Sequence, residues 1–117
     1  MTFISGFVTP VPTANKAAYV ELCQKVGVLL KEYGALAMTE SWGVKLPDGK
    51  VTDFRRAVQA TGDETVAFSW IVWPDRATAD ASETRMMEDP RMHDLGMPFD
   101  GKRMIFGGFE PIYELEA

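Results

Sequence analysis

Nine consecutive residues, Thr65 to Trp73 (TVAFSWIVW), leave little freedom over the fold. Read as a strand, they put Phe68, Trp70 and Val72 on one side and Ala67, Ile71 and Trp73 on the other. A strand that is apolar at both parities is covered on both faces. Pro74 ends it, because proline cannot donate to a sheet ladder. The rest of the chain must therefore supply partner strands and two layers of cover.

Residues 3–9 (FISGFVT) have the aromatic and β-branched content of a strand, and Pro10 and Pro12 are expected to end it. Asn15 is a good cap for a helix over 16–33. That helix carries Tyr19, Leu22, Cys23, Val26, Leu29, Leu30 and Tyr33 on one face, in steps of three and four. Glu21 and Lys25 form a favourable pair on its other side, and Gly34 provides the left-handed cap. Residues 35–45 read as a second strand, with Leu36, Met38, Glu40 and Trp42 sharing one face. Pro47-Asp48-Gly49 makes a turn. Residues 50–60 fit a short helical turn or an extended edge. Asp75 caps a second helix over 76–88, expected to face Ala77, Ala81 and Met87 inward. Asp89-Pro90 starts one more short turn. Residues 102–109 form the last strand, where Gly107-Gly108 implies a bulge or a close backbone approach.

The order β-α-β-β-α-β is the split βαβ, ferredoxin-like arrangement, an α+β fold over residues 1–117 read as a single domain. Two right-handed crossovers place both helices on one face of a four-stranded antiparallel sheet. The other face would then expose Trp or Phe side chains as a large apolar patch. Its simplest cover is a second copy of the same sheet, giving a homodimer through the sheet faces and a dimeric α/β barrel. Cover by residues 46–62 and 89–101 folding back is the alternative.

With 117 residues, the chain should expose about 6,300 Å² when folded against roughly 18,900 Å² when open. That buries enough for a core without disulfides. The single cysteine, Cys23, fits a reducing cytoplasm. The N-terminus has neither the basic start nor the apolar core of a secretory signal, and no apolar run is long enough to span a membrane. A net charge of −5 argues against nucleic acid as a partner.

The segments PDGKVTDFRRAV (47–58), DETVAFSWIVWPD (63–75), DPRM (89–92) and MPFDGKRMIFGGFEPI (97–112) resemble the YbaA-like family of uncharacterised bacterial proteins. The resemblance runs over nearly the whole chain. It implies the dimeric α/β barrel and brings no biochemical activity with it. The family often has acidic residues just before PDGK, where this chain has Val44 and Lys45, so no role for those acids is carried over.

No phosphate loop, dinucleotide fingerprint, zincin helix or nucleophile elbow is present. One His and one Cys are too few for a zinc cage, so no metal or cofactor is expected. Glu40 is the most informative residue, a carboxylate between Met38 and Trp42 on one strand face. Either it is a general acid or base in a pocket with apolar walls, or it pairs with Arg55, Arg56 or Arg103 and ties loop to sheet. Those arginines could bind a small carboxylate beside it. Trp42 is a candidate wall of the ligand site. His93, in the DPRMHD turn, could be a base or a haem ligand, but its polar setting fits a surface residue. The methionines late in the chain suit a plastic pocket or core filling. Two functions follow as expectations. One is binding of a small organic ligand between helices and sheet. The other is a cofactor-independent oxygenase or isomerase using Glu40.

Overall fold

The computed structural model describes all 117 residues. Its elements are β1 (Phe3–Pro12), α1 (Lys16–Glu32), β2 (Ala37–Trp42), α2 (Phe54–Ala57), β3 (Glu64–Trp73), α3 (Arg76–Glu88), α4 (Pro90–His93) and β4 (Ile105–Phe109). The sheet order is β2-β3-β1-β4 and every pair is antiparallel. This is the ferredoxin-like α+β fold, and the apolar run of β3 lies at an inner position as expected.

β1 runs three residues further than its prolines suggested. Pro10 and Pro12 stay in the ladder opposite Val66 and Glu64. They can do so because β4 stops at Ile105, opposite Val8, so the other edge of β1 is free from Thr9 onward. A free edge asks for no donor there. Residues 50–60 resolve to the helical turn α2, whose first turn is capped by Asp53 accepting from the Arg56 amide at 2.8 Å.

The α1 face is as expected, with Tyr19, Leu29, Leu30 and Tyr33 buried. Gly34 takes φ +108°, and a Cβ there would also meet Thr78 Cγ2 at 2.9 Å. Asn15 does not cap α1. Its amide donates instead to the Pro98 carbonyl at 2.8 Å, and a 3₁₀ turn over Thr13–Asn15 leads into the helix. α3 turns a different face inward from the one expected. Ala79 and Ser82 are buried and Met86 packs on the core, while Met87 is exposed. The Ser82 hydroxyl satisfies itself on the Ala79 carbonyl at 2.6 Å, so a small polar residue sits inward at little cost. Asp75 caps α3 through the Thr78 amide, and Asp89 caps α4 ahead of Pro90.

The main core lies between the helices and the sheet and joins Leu29, Leu30, Tyr33, Ile71, Trp73 and Ala79. Full burial of a side chain such as Leu30 contributes about 2 kcal/mol. A second cluster joins Val11, Tyr19 and Ala67, with Cys23, Trp42 and Phe99 packed against it. Gly107 and Gly108 produce no bulge, because the β1–β4 register is continuous. They permit close ring approach on opposite faces. A Cβ on Gly108 would lie 2.5 Å from the Phe3 ring, and one on Gly107 would lie 3.4 Å from the Phe109 ring.

The face away from the helices carries Ile4, Val8, Phe68, Trp70, Ile105 and Phe109 around a trough of about 630 Å³. Phe54 of α2 covers one end, edge-on to Phe68 with ring centroids 6.0 Å apart. Residues 89–101 do not help there: Phe99 packs on the helix side instead, against Tyr19.

Candidate functional site

The site forms where α1 crosses β2. Two turns of α1 present Lys16, Tyr19 and Cys23 at steps of three and four, and β2 presents Met38, Glu40 and Trp42 at steps of two. Ser69 comes from β3, directly opposite Glu40 in the ladder. Tyr19, Cys23, Met38 and Glu40 border both an open cleft of about 400 Å³, which Lys16 and Trp42 also line, and a smaller hollow of about 160 Å³, which Ser69 also lines. The hollow runs under α1, and its walls include Leu22, Val26, Met86 and Met104. Two of the late methionines thus line a cavity, as a plastic pocket would have it.

Glu40 is half-buried and has no arginine partner. The Tyr19 hydroxyl donates to its Oε1 at 2.7 Å and the Ser69 hydroxyl donates to the same oxygen at 2.6 Å. Short bonds to a carboxylate are stronger than neutral ones. They hold the carboxylate in one orientation and tie α1, β2 and β3 at one point. Burial, and then the nearby Glu40 charge, push the Tyr19 phenol well above its ordinary range, so Tyr19 is a fixed donor. Burial, then Glu40, push the Cys23 thiol up to about 12. Cys23 therefore stays protonated at neutral pH and is a wall of the cleft rather than a nucleophile. At the mouth, the Lys16 ammonium lies 5.6 Å from the centre of the Trp42 ring, a cation–π contact.

The arginines expected beside Glu40 are elsewhere. Arg103 makes a bidentate pair with Glu64 through Nη1 and Nη2, both at 2.7 Å, and a further pair with Asp100 at 2.9 Å. Arg55 donates to the Glu64 and Thr61 carbonyls. Arg56 donates to Asp53 and to the Val51 and Gly49 carbonyls, which closes the 49–56 loop on itself. All three guanidinium groups are used in holding segments 49–64 and 100–103 together, and none lines the cleft. His93 is an exposed residue of α4 whose Nε2 meets the Met87 carbonyl, and it borders neither cavity. No three of the His, Cys, Asp and Glu side chains converge as metal ligands would, and no helix is long and apolar enough to cross a membrane.

Sequence reasoning reached Glu40 and Trp42 but missed Tyr19, Ser69 and Lys16. Ser69 gave a signal: it is the one hydroxyl in the middle of an apolar strand, on the parity of Ala67, Ile71 and Trp73. Tyr19 gave a weaker one, since a phenol on a helix's inner face needs a partner for its hydroxyl.

Against known proteins, the profile of a family described as "Protein of unknown function (DUF1428)" matches residues 2–101. The uncharacterised protein YbaA of Escherichia coli K12 is 53% identical over 116 residues, covering 97% of this chain and 99% of that protein. The YbaA protein of Shigella flexneri matches to the same extent. Among solved structures, a dimeric ferredoxin-like protein from an uncultured marine organism is similar over the full length of both chains, with a TM-score of 0.55 and 12% identity.

Proposed function

The chain belongs to the DUF1428 family of unknown function, and from its geometry we propose that it binds a small organic ligand in the cleft between α1 and the sheet. One observation carries this reading. Glu40 lines two neighbouring spaces with largely apolar walls, and no cation pairs with it. A network built only to fasten α1 to the sheet has no need of open space beside its acceptor. The cleft has the size of a small-molecule site and the usual mixture of apolar lining with a few fixed polar groups. The test is a screen of small organic molecules by thermal unfolding, since a ligand of the folded state alone raises Tm. Hits should lose their effect in Trp42→Ala, and a screen in which every hit is indifferent to Trp42 would refute the cleft.

The reading includes self-association through the uncovered sheet face. The chain exposes 7,922 Å², about 1,600 Å² more than a monomer of its mass is expected to show. A standard dimer interface hides about 800 Å² on each partner. The protein from the marine organism, of the same fold, is described as dimeric. Trp70→Asp should convert a dimer to a monomer in light scattering, because an unpaired charge in a covered apolar face is costly. A monomeric wild-type protein at micromolar concentration would end this part of the account. A cytoplasmic setting accords with the single free cysteine.

The hydrogen bonds to Oε1 also support a second reading. Glu40 Oε2 receives none, so it is free to take a proton from a bound molecule, as a cofactor-independent oxygenase or isomerase would require. In that case Glu40→Gln would stop product formation even at saturating ligand.

A further inference from the structure

Glu40 uses its two oxygens unequally. Tyr19 and Ser69 both donate to Oε1, and no oxygen or nitrogen donor of the chain bonds to Oε2. No side-chain oxygen or nitrogen in the structure is both fully buried and without a partner. Oε2 is therefore accessible, and Glu40 borders the cleft.

A carboxylate oxygen only accepts, so what docks on Oε2 must donate. The lining around it includes the Met38 thioether, the Cys23 thiol and the Tyr19 and Trp42 rings, with the exposed Gln24 and Ser41 side chains also on the border. A hydroxyl has a single hydrogen to give, which one carboxylate oxygen takes in a charge-assisted bond. At the other end of the cleft stands Lys16, on the face of Trp42, two residues along β2 from Glu40. None of the ion pairs of the chain uses Lys16. The cleft is therefore bordered by a carboxylate with a free oxygen and by a cation that no ion pair of the chain uses, with the Val20 side chain and the Trp42 ring in the same lining.

We propose that the ligand is a small bipolar molecule: a compact apolar body about the size of one aromatic ring, with a hydroxyl at its inner end and a carboxylate at its outer end. The hydroxyl donates to Glu40 Oε2, the ring lies among Met38, Val20 and Trp42, and the carboxylate meets Lys16. A body of this size fits within the volume of about 400 Å³. This assignment rests on the cleft being a ligand site and goes beyond it by naming the class of ligand. A molecule with a carboxylate at the inner end is excluded, since it would face Glu40 with like charge.

The test uses three probes, 4-hydroxyphenylacetate, phenylacetate and 4-methylphenol, titrated against wild type, Glu40→Gln and Lys16→Met by calorimetry. Wild type should bind 4-hydroxyphenylacetate about tenfold tighter than phenylacetate, the worth of one hydrogen bond to a charged group, and about threefold tighter than 4-methylphenol, since Lys16 is exposed and solvent screens its ion pair. Glu40→Gln keeps an oxygen for Tyr19 and Ser69 but presents an amide to the ligand, so the advantage over phenylacetate should vanish. Lys16→Met keeps the stem on Trp42, so only the advantage over 4-methylphenol should vanish. Thermal unfolding confirms that both variants are folded. Equal binding of all three probes, abolished by Trp42→Ala, would overturn the bipolar ligand and leave the cleft standing. An advantage of the hydroxyl that survives Glu40→Gln would also overturn it. No binding of any probe at millimolar concentration would refute the ligand class, and the cleft would then stand or fall on the wider screen.

Discussion

Replacing Glu64 by glutamine should weaken the fold by about 2–3 kcal/mol at neutral pH, and this cost should fade in acid. Glu64 opens β3 with its side chain 5% exposed. It accepts both guanidinium hydrogens of Arg103 at 2.7 Å and the Thr61 amide at 2.7 Å. Arg103, with Thr61 adding to the effect, holds the Glu64 carboxyl down at about 2, against an ordinary 4.5. A shift of that size corresponds to about 3 kcal/mol of stability linked to ionisation. Arg103 is about a quarter exposed, so solvent screens part of it and the lower end of the range is expected. The direction is fixed by the lowered pKa. The stabilisation is complete above pH 4.5, declines as pH falls toward 2, and is gone below that. Glutamine offers one neutral acceptor oxygen in place of two charged ones, so the bidentate pair is lost and Arg103 relies on Asp100 and the Gln59 carbonyl for its stronger contacts. Urea unfolding of wild type and Glu64→Gln at equal protein concentration, at neutral pH and again near pH 3, measures the effect. The gap between the two proteins should narrow by about 2 kcal/mol over that range. Other carboxylates titrate there too, but they do so in both proteins and cancel. A gap that is the same at both pH values, or absent at neutral pH, would refute the pairing.

Gly108→Ala should cost about 1–3 kcal/mol, because its methyl group would press into the Phe3 ring. Gly107→Ala, with a looser contact to Phe109, should lower Tm by less, and the reverse order in thermal unfolding would contradict the ring placement. Tyr19→Phe should cost about 1–2 kcal/mol in urea unfolding, since Oε1 keeps only Ser69 as a donor. The Cys23 thiol, pushed up to about 12, should react with a maleimide or disulfide reagent at mildly alkaline pH at least about a hundredfold more slowly than in the urea-unfolded chain. Equal rates would mean that the thiol is not shielded.

Periodicity made α1, β3 and the ferredoxin-like order legible in the sequence, because a seven-residue helical stripe and a strand apolar at both parities admit few arrangements. The inward face of α3 was not legible. Its stripe is Ala79, Ser82 and Met86, small or polar residues that differ little from those on the outer face. The extent of β1 was hidden because a proline is harmless on a free edge, and which edge is free depends on where β4 stops. Glu40 was legible as an odd carboxylate on an inward face. Its partners were not, since they are set by the β2–β3 register and by the rotation of α1 over β2. The arginines were closer in kind to the expected partners than in space. Each found a carboxylate or carbonyl within the 49–64 and 100–103 segments instead.

The cleft can be tested against the rest of the molecule in one measurement, because the three tryptophans sit in three different places. Trp42 borders the cleft, Trp70 lies on the uncovered sheet face, and Trp73 is buried with its indole nitrogen donating to Ser5 Oγ at 3.0 Å. Each gives its own indole N–H signal in a proton–nitrogen spectrum. Adding 4-hydroxyphenylacetate, or any molecule that raises Tm in the screen, should move the Trp42 indole signal and the Cys23 and Glu40 amides while Trp70 and Trp73 stay in place. Movement of the Trp70 signal with Trp42 unmoved would put binding on the sheet face and contradict the account.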